Sequence, residues 1–252
     1  MRLIIFGDSY AEPFDADWVW TNQLPQFDTV INNAVGGSSI EYSMNKFYDY
    51  YENDYQKTDK IIFTLTDSCR APIVHKDYNP NYSAYVNVLE VKQTTGRDDK
   101  GTDIYDDHYK NHFEYYKTVL QYTDPIINYY KYFSVLSMLN NLDNDVIVLP
   151  CFEKFNSKIE LKENIILIKL PLIEICKAEV ADRDTDVSWI FPNLDFRPNH
   201  MLPDNHKIFA ETITKCFETK LDEFKLHNFK QDQISKHNAH KFMWIKEFIG
   251  KQ

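Results

Sequence analysis

Two short and almost uninterrupted apolar runs, Val146-Ile147-Val148-Leu149 and Ile165-Ile166-Leu167-Ile168, constrain this chain most. A strand with one wet face alternates apolar and polar residues. A run that is apolar at every position must be covered on both faces, as strands are inside a parallel sheet. Further β-rich runs stand at residues 2–6, 29–31 and 60–65, and the run at 165 extends to 169. Five such strands with helical or irregular material between them predict an α/β domain built on a doubly wound sheet.

Helical spacing fills part of the intervening chain. Asp124-Pro125 reads as a helix start, and Ile126, Ile127, Tyr130, Phe133 and Leu136 continue at helical steps towards Leu139. Residues 204–224 carry a second stripe through Ile208, Phe209, Ile213, Phe217 and Leu221. Residues 231–249 can form a helix with Ile234, Phe242, Ile245, Phe248 and Ile249 near one face, suited to docking on the core or on a second copy of the chain. With 252 residues, 43% of them hydrophobic, one substantial core is expected. The expected division is a domain over 1–225 and a C-terminal helical extension over 226–252. Residues 70–122, rich in Tyr, Asp, Asn and Lys and without periodicity, are too long for a plain loop and read as a cap facing a ligand.

Charge and cysteine usage remove several function classes. The formal charge is −10 and no Lys/Arg run forms a basic face, so nucleic acid is not an expected partner. Cys69, Cys151, Cys176 and Cys216 include no Cys-x-x-Cys, which speaks against a zinc ribbon and a redox pair and for reduced, buried thiols. No apolar stretch approaches a membrane span or a signal-peptide core, so the chain reads as a soluble protein made in a cytoplasm, a host's if the gene is viral. His108 and His112 have the spacing of a helical metal pair, but no Glu follows His108 and the neighbouring charges fit a solvated face. Gly7 and the Gly36-Gly37 pair do not form a phosphate-binding glycine loop, and no Walker lysine follows them. Neither a metal nor a cofactor is expected.

Three segments carry the chemistry. Gly7-Asp8-Ser9-Tyr10 follows the first predicted strand directly, where open α/β sheets place their ligands and where a tight turn can present the Ser9 hydroxyl as a nucleophile. The same tetrapeptide is also ordinary turn chemistry. Residues 32–39, Asn-Asn-Ala-Val-Gly-Gly-Ser-Ser, follow the second strand; they can offer backbone N–H groups to an oxyanion, or serve as a turn with Ser38 or Ser39 as helix N-cap. Arg197-Pro198-Asn199-His200-Met201-Leu202-Pro203 leads into the last predicted helix, and a histidine there can reach back to a serine after the first strand as a general base.

Together the three segments resemble the SGNH hydrolases, the GDSL esterase/lipase family, over about residues 1–215. Gly7-Asp8-Ser9-Tyr10 is similar to that family's nucleophile block, residues 32–38 to its glycine block, and Asn199-His200-Met201-Leu202 to its histidine block. The resemblance implies a three-layer α/β/α sandwich with a five-stranded parallel, flavodoxin-like sheet. It implies Ser9 as nucleophile, the Ser9 and Gly37 amides as oxyanion donors with Gly36 as fallback, and His200 as base, with His206 a helix-face residue. Asp8 counts among the binding residues. The chain departs from the family twice. Where the family places an oxyanion asparagine, this chain has Leu65-Thr66-Asp67-Ser68-Cys69-Arg70, so Asp67, Thr66 or Ser68 would take that place, and an ionised Asp67 opposes an oxyanion unless Arg70 or protonation offsets it. Where the triad carboxylate should stand, three residues before the histidine, this chain has Arg197; Asp195 is the nearest replacement, and a Ser–His dyad is the alternative. The implied activity is hydrolysis of an acyl ester, with O-acetyl groups on a carbohydrate favoured by the aromatic insertion. An acyltransferase, or a binding or virion-structural protein that keeps the fold, are the rival readings.

Overall fold

A computed structural model of the chain describes residues 1–13, 16–36, 38–68, 71–73, 84–86, 96–97, 103–104, 125–155, 159–179, 190–191, 194–195, 201–222 and 224–233. For 71–73, 84–86, 96–97, 103–104, 125–128, 190–191 and 194–195 it describes the backbone alone. The apolar runs become strands, in chain order β1 (Arg2–Phe6), β2 (Thr29–Asn32) and, after helix α1 (Ile40–Asn53), β3 (Lys60–Leu65). Two antiparallel pairs follow, β4 (Ala71–Ile73) with β5 (Ala84–Val86) and β6 (Gly96–Arg97) with β7 (Asp103–Ile104). Next come α2 (Pro125–Leu139), β8 (Asp145–Pro150), β9 (Ile165–Leu167) and α3 (Leu172–Ala178). The small pair β10 (Ile190–Phe191) and β11 (Leu194–Asp195) precedes α4 (Pro203–Thr219). The expected cap over 70–122 and the helix over 234–249 otherwise lie outside the described residues.

The central sheet is five-stranded and all parallel, in the order β2-β1-β3-β8-β9. Its two-residue alternation divides the core. Leu3, Ile5, Ile62, Ile147 and Leu149 face one side, where Ile175 of α3 and Phe209, Ile213 and Phe217 of α4 cover them. Ile4, Phe6, Ile61, Phe63, Val146 and Val148 face the other, under Phe47 and Tyr50 of α1 and Tyr132, Leu136 and Leu139 of α2. Both faces are therefore dry, which is why the strand sequences are apolar at consecutive positions. Each such side chain contributes about 1.5–3 kcal/mol by leaving water. At the amino-terminal edge of the sheet, Arg2 bridges Asp54 and the buried Asp59, which also accepts the Tyr50 hydroxyl. The guanidinium and that hydroxyl hold the Asp59 carboxyl below its ordinary range against the cost of burial.

The last helix ends earlier than the stripe over 204–224 predicts. Lys220 adopts a left-handed conformation (φ 58°), its N–H closes on the Cys216 carbonyl, and its side chain pairs with Asp145 at the sheet edge. The register is broken there, so Leu221 is exposed while Phe224 and Phe229 fold back into the core beside Phe209. The start of the expected extension thus packs on the domain, and the Asp232 N–H bonds to the Ala178 carbonyl at the end of α3. Cys151, Cys176 and Cys216 are buried thiols, as expected; Cys69 lies outside the described residues. No helix among the described residues is long and apolar enough to cross a membrane.

Candidate active site

Parallel strands bring their carboxyl ends to one edge. In the order 2-1-3 the chain leaves β1 for a neighbour on one side and leaves β2 for a neighbour on the other, so the crevice lies between the loops after β1 and β3. The Gly7-Asp8-Ser9-Tyr10 turn occupies that position. Gly7 ends β1 against β3, and a Cβ placed on it would lie 1.8 Å from Thr64 Oγ1. Only a residue without a side chain lets the two loops come so close.

Asp8 organises the turn from within. Its side chain is fully buried; Oδ1 accepts the Tyr10 N–H at 3.2 Å and the Cys151 thiol at 3.7 Å, while Oδ2 accepts the Thr66 hydroxyl. Its own N–H donates to Thr64 Oγ1 at 3.3 Å, and its carbonyl accepts the Ala11 N–H at 2.9 Å. Ser9 is thereby pinned on both flanks. Ser9 is 7% exposed, and among the described residues nothing hydrogen-bonds its hydroxyl. Tyr10 beyond it is buried against Phe152, and its carbonyl accepts the Trp20 indole N–H at 2.7 Å. Burial, with the Cys176 and Cys151 thiols and Asp8 nearby, pushes the Tyr10 phenol well above its ordinary value and keeps it neutral.

The glycine loop after β2 is strapped to the same turn. The Gly7 carbonyl accepts the Val35 N–H at 3.1 Å and the Ser38 hydroxyl at 2.9 Å, and the Asn32 side chain bonds the Ala11 carbonyl at 2.7 Å while accepting the Ala34 N–H. Ser39 stands at the N-cap position of α1 without a capping bond from its hydroxyl, while the Ser38 hydroxyl donates to the Gly7 carbonyl. Gly36 lies against Glu12, whose Oε2 is 2.3 Å from where a Cβ would sit. Gly37, the expected second oxyanion donor, lies outside the described residues.

The loop after β3 holds the three candidates for the missing asparagine. The buried Thr66 hydroxyl is committed to Asp8, and its carbonyl accepts the Tyr132 hydroxyl of α2 at 2.7 Å. Ser68 donates to Glu153 Oε1 at 3.0 Å. Asp67 is half-buried between them, and its expected partner Arg70 lies outside the described residues. Burial chiefly, and then Glu153, pushes the Tyr132 phenol far up, so it remains a donor. Tyr132→Phe leaves the Thr66 carbonyl without that donor, and should lower stability by about 1–3 kcal/mol in chemical denaturation.

On the histidine side the structure reaches the borders of the block. Met201, next after His200, is 1% exposed and belongs to the core cluster that also holds Tyr10 and Ala11. Leu202 is the N-cap residue of α4 and Pro203 its first residue, as a proline before a helix leads one to expect. His200 and Arg197 lie outside the described residues; Asp195 pairs with Ile190 in the β10–β11 backbone, and its side chain is not described. His206 lies buried in the first turn of α4, its Nδ1 accepting the Trp20 N–H at 3.2 Å with the Trp18 ring edge-on at 5.0 Å. It is a packed helix-face residue.

One buried carboxyl against the start of α4 has no signal in the sequence. Glu179, at the C-cap of α3, is 1% exposed, accepts the Leu202 N–H on both oxygens (2.9 and 3.1 Å) and accepts the Asn205 side-chain amide at 2.6 Å. Burial pushes its carboxyl from the ordinary 4.5 up to about 8, against the pull of those two donors. A raised pKa in the folded state means that the folded chain holds the proton more tightly than the unfolded chain. The stabilisation is therefore complete below about pH 4.5 and is lost as pH rises through about 8. Wild-type stability minus that of Glu179→Gln, from denaturant titrations, should fall by a few kcal/mol over that window.

A groove of about 690 Å³ along α4, lined by residues such as Glu211, Lys215, Leu221, Lys225 and His227, contains none of these groups. Among the described residues no cluster of His, Cys, Asp and Glu could hold a metal ion. No protein-family model matches the chain, and no curated protein matches its sequence.

Proposed function

We propose that the chain is a serine hydrolase of the SGNH type acting on an acyl ester. Ser9 attacks the acyl carbonyl as His200 takes its proton, and the Ser9 amide and the glycine loop hold the oxyanion; the ester C–O bond breaks as His200 gives that proton to the departing alcohol, and water, deprotonated by His200 in turn, releases the acyl group as an acid. Asp195 orients the imidazole, or the pair works as a dyad. The observation that carries the reading is the turn itself: Ser9 sits at the switch point of the sheet, held by the buried Asp8 from one side and by two bonds to the Gly7 carbonyl from the other. A surface turn has no use for a fully buried carboxylate with three donors. The substrate proposed is a small acyl ester, with O-acetyl groups of a carbohydrate first.

A fluorophosphonate probe tests this. Labelling of the full chain that disappears in Ser9→Ala and in His200→Gln supports the reading, and absence of labelling in the wild type sinks it. The commitment of the Thr66 and Ser68 hydroxyls to Asp8 and Glu153 favours a second reading, a binding protein that keeps the fold with a weakened oxyanion site. Saturable binding of an acetylated oligosaccharide without turnover or labelling would identify it. Labelling with turnover only when an acceptor alcohol is present would identify an acyltransferase.

A further inference from the structure

Three acidic side chains are buried among the described residues: Asp8 in the nucleophile turn, Asp59 against Arg2, and Glu179. Glu179 differs from Asp59 in having no cation beside it among the described residues; its partners there are the Leu202 N–H and the Asn205 amide. A buried carboxyl held by uncharged donors is an expensive way to join two helices, since apolar packing would serve stability better. Its raised pKa reflects the same cost. What the group does offer is geometry. Leu202 has no side chain able to cap α4, and Glu179 fixes that residue's own amide from outside the helix. Asn205 extends the tie, donating to the Lys230 carbonyl and accepting the Lys230 N–H, both at 2.8 Å. The end of α3, the start of α4 and the chain at residue 230 form one knot, and Leu202 stands two residues after His200 in the sequence.

We infer that Glu179 is a positioning residue for the base: through the Leu202 amide it fixes the point at which the His200 block enters α4. The inference rests on the Ser9–His200 reading. Glu179→Gln keeps an acceptor for Leu202 and Asn205. Glu179→Ala removes it, and Glu179→Asp withdraws it by roughly one bond length, which for a misplaced catalytic group lowers rates by on the order of 10²-fold.

Two measurements on the full-length chain at neutral pH decide the matter. The first is the fluorophosphonate labelling rate; the second is the imidazole C–H resonance of His200 by NMR, assigned through its loss in His200→Gln. Glu179→Gln should keep both close to wild type, while Glu179→Ala and Glu179→Asp slow labelling and shift or broaden the His200 resonance. Should Glu179→Ala fail to fold, Glu179→Asp carries the comparison. Wild-type labelling rate and resonance in both Ala and Asp variants would overturn the inference. If the wild type does not label at all, the Ser9–His200 reading falls, and the resonance still decides whether Glu179 positions His200.

Discussion

Ser9→Ala should abolish fluorophosphonate labelling and lower turnover of p-nitrophenyl acetate by about a thousandfold or more, with the thermal midpoint nearly unchanged. In the proposed mechanism the loss is large because nucleophile and base act as a unit: with no oxygen to deprotonate, His200 has nothing to do. His200→Gln should cost nearly as much, and the double variant Ser9→Ala/His200→Gln little more than either alone, a non-additivity that marks one machine and not two independent contacts. Ser9 is 7% exposed and accepts no structural bond among the described residues, so truncating it removes one oxygen and little packing. Full activity in Ser9→Ala would place the chemistry elsewhere in the chain.

Gly7→Ala is the second large effect. The added methyl group meets Thr64 Oγ1 at 1.8 Å and Thr64 Cβ at 2.9 Å, far inside van der Waals contact. Thr64 is itself fully buried in β3, so it has nowhere to retreat, and β1 or the turn must move. Overpacking of this kind costs about 1–3 kcal/mol, which a denaturant titration would read. The displaced segment is also the one that carries Ser9, so labelling should fall far more than stability does. Thr64→Ala in the same chain removes Oγ1 and should recover part of the stability loss, giving a coupling energy in the double-mutant cycle; strictly additive effects would show that the two residues do not meet. The recovery stays partial, because Cβ of residue 64 remains in place and the Asp8 N–H loses its acceptor.

The sheet was legible because its physics is local in the sequence. Val146-Ile147-Val148-Leu149 can be apolar at four successive positions only if both faces are dry, and the structure places Val146 and Val148 in one core layer and Ile147 and Leu149 in the other. The end of α4 was not legible. The apolar stripe runs on through Leu221, and only the pairing of the Lys220 side chain with Asp145, whose partner strand comes from a distant part of the chain, shows why the helix stops. Of the two serines that could cap the helix after β2, the structure puts Ser39 at the N-cap position and sends Ser38 elsewhere. Ser38 has the right chemistry for a cap, but the Gly7 carbonyl lies within reach once β1 and β2 pair, and takes it.

By itself, the sequence determined the α/β class, the strands of a parallel sheet and the place of Ser9 at the carboxyl end of the first, since periodicity and chain order suffice for these. Which groups hold that serine was decided by tertiary structure alone. Asp8 meets Thr66 across 58 positions and Cys151 across 143, Gly7 meets Thr64 across a strand pair, and Glu179 meets Leu202 where two helices converge. A hydrogen bond or a steric contact depends on distances of a few ångströms, which chain separation does not encode. Pairing β1 with β3 brings these groups together, and the same pairing makes an ordinary Gly-Asp-Ser turn a rigid one.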